Sequence, residues 1–88
     1  MANDNSENIN KTVTIIVNGR DYSVQKSKLT FEEIVELGLG KYDSSTNIAY
    51  TVSYSKGEDK KPKGVLARGD NVMVKDGMIF NVTRTDKS

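Results

Sequence analysis

The sequence contains no cysteine and no histidine. Those absences exclude disulfides, thiolate catalysis, histidine general bases and ordinary zinc sites. No run approaches the roughly 18 apolar residues that a membrane span needs. The N-terminus has no apolar core of the kind a signal peptide carries. Residue 2 is Ala rather than Gly, which rules out N-myristoylation. Charge of one sign is also missing: 13 basic and 12 acidic residues leave a net charge of +1, with the two signs interspersed. No long-range field favours nucleic acid or a membrane surface. The expected location is the cytoplasm, where the triplets Asn10-Lys11-Thr12 and Asn81-Val82-Thr83 carry no glycan.

The chain has 88 residues, enough for one domain with a single modest core. Its hydrophobic fraction is low at 35%, against 28% charged. Much of the deficit lies in "MANDNSENINK", where Ile9 is the one sizeable apolar side chain after Met1. Residues 1–11 are therefore expected to be a disordered polar leader.

Periodicity organises the remainder. In "TVTIIVNGRDYSVQ", Val13, Ile15 and Val17 alternate with Thr12, Thr14 and Ile16, and Tyr22 and Val24 alternate after Asn18-Gly19. Asn-Gly tolerates positive φ at both central turn positions, so the spacing predicts a type I′ β-hairpin over about 12–25. The period changes in "SKLTFEEIVELGLG". Phe31, Ile34, Val35 and Leu37 fall at helical spacing, and Thr30 and Glu33 form a capping box. Leu29 and Ile34 fit a hydrophobic staple, Glu32 and Glu33 suit the positive end of the helix dipole, and Gly38 and Gly40 supply the stop, giving a helix over about 31–38. Period two returns at Ile48, Tyr50, Val52 and Tyr54. After the loop "KGEDKKPKG", Val72 and Val74 mark a strand over 71–75. Met78, Phe80 and Val82 share one face of a last strand over 78–83.

The order β-β-α-β-β-β with a single helix predicts an α+β roll. In the β-grasp arrangement, the last strand lies parallel to the first at the centre of a mixed four- or five-stranded sheet, with the helix packed on one face. The alternative takes Asp76-Gly77 as a two-residue hairpin joining 71–75 to 78–83.

Several motifs have ordinary readings. "GLGK" at 38–41 lacks the spacing and the trailing Ser or Thr of a phosphate loop, and suits a helix stop. "RGD" at 68–70 reads as a turn. "KKPK" at 60–63 follows Glu58 and Asp59 and reads as a solvated loop. Glu32, Glu33 and Glu36 belong to the helix; Asp43, Asp59, Asp70 and Asp76 lie in turn-like stretches, where Asp is locally favoured. No nucleophile–base pattern is visible, so the chain is not expected to be an enzyme.

Two features remain. Ile16 and Ile79 are out of phase with the core residues of their strands. If those strands are neighbours, the pair forms a small apolar spot on the open face of the sheet, of the kind that marks a partner site; otherwise they are scattered surface residues. The second feature is the end of the chain, "TRTDKS". Six extended residues at about 3.3 Å each reach roughly 20 Å, far enough to carry a carboxylate into another protein's cleft. Chain physics alone favours a frayed terminus.

The stretches "VNGRDYSV", "LTFEEIVELG", "AYTVSYSKG", "KPKGVLARGDNVMVKDGMIFNVT" and the closing "TDKS" resemble the bacterial multiubiquitin-domain family of ubiquitin-like proteins. The resemblance covers 12–88, with no internal repeat, like a single-copy member. It implies a β-grasp domain over 12–83, a flexible tail over 84–88 and a role as a protein modifier in bacterial antiphage defence. Its partners would be an E1-like activating enzyme, an E2-like conjugating enzyme, a deconjugating peptidase and target proteins. No cofactor is implied, and the chain would be a monomer. Ser88 would be conjugated, Thr83, Arg84, Thr85, Asp86 and Lys87 would thread into the enzyme, and Ile16 and Ile79 would dock it. The ending Asp86-Lys87-Ser88 departs from the Gly-Gly of ubiquitin, which also argues against a thiocarboxylate sulfur carrier. The competing expectation is a ubiquitin-fold adaptor that is not conjugated; a small enzyme or ligand carrier is a third.

Overall fold

The computed structural model describes residues 11–57, 60 and 62–86. Strand β1 (Thr12–Val17) turns back into β2 (Arg20–Gln25) through Asn18 and Gly19, whose φ values of 52° and 82° are the positive pair a type I′ turn requires. The short β3 (Lys28–Thr30) leads directly into helix α1 (Phe31–Leu39). The capping box forms in both directions: the Glu33 amide donates to the Thr30 hydroxyl at 3.1 Å, and the Thr30 amide donates to the Glu33 carboxylate at 2.9 Å. Leu29 packs against the core that contains Ile34, as a staple would place it.

The helix runs one residue past the expected end. Gly40, at φ 88°, is the left-handed cap, and its amide donates to the Glu36 carbonyl at 2.8 Å. Gly38 is not a stop. It lies inside α1 where the helix meets the sheet, and a Cβ there would sit 3.0 Å from Val17 Cγ1, 3.1 Å from Val82 Cγ2 and 3.2 Å from Asn18 Nδ2.

After α1 come β4 (Ile48–Ser55), β5 (Gly64–Leu66), β6 (Asn71–Met73) and β7 (Ile79–Asp86). The main sheet has the order β2-β1-β7-β4-β5, and β3 and β6 form a separate two-stranded sheet. β7 is thus central, parallel to β1 and antiparallel to β4. This is the β-grasp arrangement.

The competing hairpin does not form, because β6 pairs with β3 rather than β7. Asp76-Gly77 serves β1 instead: the Thr14 amide donates to Asp76 Oδ1 at 2.8 Å, and the Gly77 amide donates to the Thr14 carbonyl at 2.7 Å. Within the turn the Met78 amide donates to the Lys75 carbonyl at 3.0 Å. The chain therefore leaves the turn alongside β1.

The core lies between α1 and one face of the sheet. Val13, Ile15 and Val17 of β1, Val52 and Tyr54 of β4, and Phe80 and Val82 of β7 meet Phe31, Ile34 and Val35 of the helix, with Val74 and Met78 closing the space. Complete burial of each such side chain stabilises by about 1.5–3 kcal/mol.

The structure corrects both ends of the expected domain. Lys11 is already attached, since the Lys26 amide donates to its carbonyl at 3.0 Å; residues 1–10, the rest of the expected leader, lie outside the described residues. At the other end, Thr83, Arg84, Thr85 and Asp86 are not a free stalk. β4 is eight residues long, and its first half pairs with them: Thr51 with Thr83, Tyr50 with Arg84, Ala49 with Thr85 and Ile48 with Asp86. The strand therefore passes the expected boundary at 83 and continues to Asp86. Lys87 and Ser88 lie outside the described residues.

Candidate functional site

Alternation along β1 and β7 decides which side chains leave the core. Val13, Ile15, Val17, Phe80 and Val82 are buried beneath α1, so Ile16 and Ile79 point to the opposite face, where both are half-buried. The parallel register places them directly side by side, Ile16 opposite Ile79. On either flank the row is polar, with Asp21 beside Ile16 and Ser55 beside Ile79. The two isoleucines thus form one small apolar spot in a polar surround. Val65, 70% exposed, carries a further apolar group on the same face through its pairing with Ser53. Sequence reading did not single it out, because β5 has three residues and no period.

β7 is gripped differently along its length. Up to Val82 both edges are held, by β4 on one side and by β1 on the other. The Asn18 amide donates to the Phe80 carbonyl at 3.0 Å. The Asn18 side chain then extends β1 by one rung: its Oδ1 accepts from the Val82 amide at 2.8 Å, and its Nδ2 donates to the Val82 carbonyl at 3.1 Å. Beyond Val82 only β4 pairs with the strand among the described residues. The side chains of Thr83, Arg84, Thr85 and Asp86 are all exposed, and Arg84 Nε lies 3.1 Å from Asp86 Oδ1. That pair is solvated and contributes little.

The turn acids Asp43, Asp70 and Asp76 accept from backbone amides. Asp43 Oδ1 accepts from the Ser45 amide, Asp70 Oδ2 from the Ala67 amide and Asp76 Oδ1 from the Thr14 amide. "RGD" is therefore a structural turn. Its Arg68 donates to the Ser45 and Ile48 carbonyls and lies over the Tyr42 ring, 5.7 Å from its centroid. "GLGK" is a helix end. In "KKPK", Lys60 and Lys63 are exposed and the Pro62 carbonyl accepts from the Gly57 amide; Lys61 and the preceding Glu58 and Asp59 lie outside the described residues. Among the described residues no three His, Cys, Asp or Glu side chains converge as metal ligands, and no helix is long and apolar enough to cross a membrane.

A central strand parallel to the first with one helix over the sheet is the architecture of ubiquitin-like folds. The family model for multiubiquitin matches residues 13–86. The chain belongs to the multiubiquitin family. The match runs from β1 to the last described residue of β7, so this multiubiquitin domain has the ladder at 83–86 within its family-defined extent. No curated protein and no solved structure matches the chain.

Proposed function

We propose that this multiubiquitin domain is a ubiquitin-like protein modifier, joined to target proteins through its C-terminal carboxylate, here that of Ser88, in a bacterial antiphage system in the cytoplasm. Family membership over 13–86 carries the proposal. The sheet gives it a physical basis, because the last strand is anchored at the centre of the fold and, among the described residues, its end is held along one edge only.

A carboxylate is a poor electrophile and needs activation. On an E1-like enzyme its oxygen attacks the α-phosphorus of ATP, pyrophosphate leaves and an acyl-adenylate forms. An enzyme cysteine thiolate then displaces AMP to give a thioester, which passes to the cysteine of an E2-like enzyme. A target amine attacks the thioester, the thiolate leaves and an amide results; a deconjugating peptidase hydrolyses it. The chain supplies no cysteine or histidine to these steps. Its role is that of substrate. The Ile16–Ile79 spot docks the activating or conjugating enzyme.

With its cognate enzymes and ATP, the chain should form adducts whose intact mass equals target plus chain less one water. Removal of Asp86–Ser88 should abolish them, and adducts that survive the truncation would overturn the assignment of the carboxylate. Ile16→Asp combined with Ile79→Asp should weaken enzyme binding about tenfold or more with the fold retained. Unchanged affinity would retire the docking spot. Binding without any adduct would favour an adaptor that is not conjugated.

A further inference from the structure

We infer that the last rungs of β7, Thr83–Asp86, form a detachable segment hinged at Val82, which must peel from β4 before the chain end can react. This rests on the modifier reading above. The geometry makes the reach of the end depend on how far the strand is zipped. Each residue released from the ladder lengthens the free end by about 3.3 Å. Release of Thr83–Asp86 therefore lengthens it by roughly 13 Å. In the proposed reaction the chain end enters the adenylating cleft in this longer, released form.

The hinge position follows from what holds each residue. Val82 is 4% exposed and bridged on both backbone groups by Asn18, so peeling stops there. The next four residues bury no side chain. Strand alternation sets the direction of their backbone groups. Phe80 and Val82 present theirs to β1 and Asn18, so Arg84 and Asp86 present theirs to the same side, past the end of β1, where no described strand pairs with them. Only Thr83 and Thr85 face β4, opposite Thr51 and Ala49. A segment with exposed side chains and half of its backbone groups without a described strand partner belongs to the low-stability end of a fold.

The chain's lack of cysteine permits a direct test. Thr85 lies opposite Ala49, a pair whose Cα atoms stand about 5.5 Å apart in such ladders, within disulfide range. Oxidised Ala49→Cys/Thr85→Cys should show at least about tenfold less ATP–pyrophosphate exchange than the same variant reduced, with the cognate activating enzyme carrying alanine at its active-site cysteine. A staple below the hinge, Ser53→Cys/Asn81→Cys, should show the same exchange closed as reduced. In the unmodified protein, the Thr83 and Thr85 amides should exchange hydrogen roughly a hundredfold faster than Asn81 in the same ladder. Full exchange activity with the upper staple closed, or protection of Thr85 equal to that of Asn81, overturns the inference and leaves the modifier reading standing. Absence of pyrophosphate exchange in the unmodified protein instead removes the modifier reading, and with it the need for release.

Discussion

Gly38→Ala tests how closely the helix rides on the central strands. By helix propensity alone the substitution should stabilise, because Gly inside a helix costs about 0.5–1 kcal/mol relative to Ala. The packing opposes it. The new methyl would lie 3.0 Å from Val17 Cγ1, 3.1 Å from Val82 Cγ2 and 3.2 Å from Asn18 Nδ2. None of these can retreat easily. Val17 is fully buried and paired with Phe80, Val82 is 4% exposed and paired with Val52, and Asn18 Nδ2 is committed to the Val82 carbonyl. One extra methyl in a packed core costs about 1–3 kcal/mol. Set against the propensity gain, the expected result is a net loss of about 1 kcal/mol. For a domain of this size that lowers Tm by about 4–8 °C, measurable by thermal unfolding followed by circular dichroism. A higher Tm for Gly38→Ala would refute the close approach of α1 to β1 and β7.

Asn18→Gly keeps a residue that tolerates the positive φ of the turn but deletes the bridge to Val82. It should cost about 1–3 kcal/mol, because the part-buried Val82 backbone groups lose both partners; urea unfolding with no change of midpoint would show that the bridge does not anchor β7. Thr30→Ala removes one half of the capping box and should cost about 1 kcal/mol by the same assay, with loss confined to α1 in hydrogen exchange. An unaltered α1 would mean that packing alone fixes the start of the helix.

Much of this fold is legible in the residues because short-range chemistry decides it. Asn18-Gly19 can hardly be anything but a tight hairpin turn, Thr30 and Glu33 fix a helix start, and alternation in β1, β4 and β7 sorts core from open face. Ile16 and Ile79 were also within reach, since a parallel first and last strand would bring two out-of-phase isoleucines together. What escapes the sequence is decided at long range. β3 and β5 have three residues each and exist because β6 and β4 offer them an edge. Asp76-Gly77 suits a hairpin as well as a crossover, and the choice is made by Thr14, 62 positions away. Gly38 reads as a terminator until the side chains beneath it are known. Thr83–Asp86 looks like a tail because its side chains are polar, but strand pairing there uses the backbone, which composition does not report.

The clamp between Thr14 and the 76–77 turn has a consequence for how the molecule is made. Until β7 emerges from the ribosome, β1–β2 and β4–β5 are two separate half-sheets with no strand to join them, and α1 has nothing complete to cover. Pairing of segments so distant in sequence comes late and slowly compared with local contacts. Synthesis thus withholds the assembled domain until β7 itself has been translated, so a chain stopped before it lacks the central strand on which both half-sheets depend.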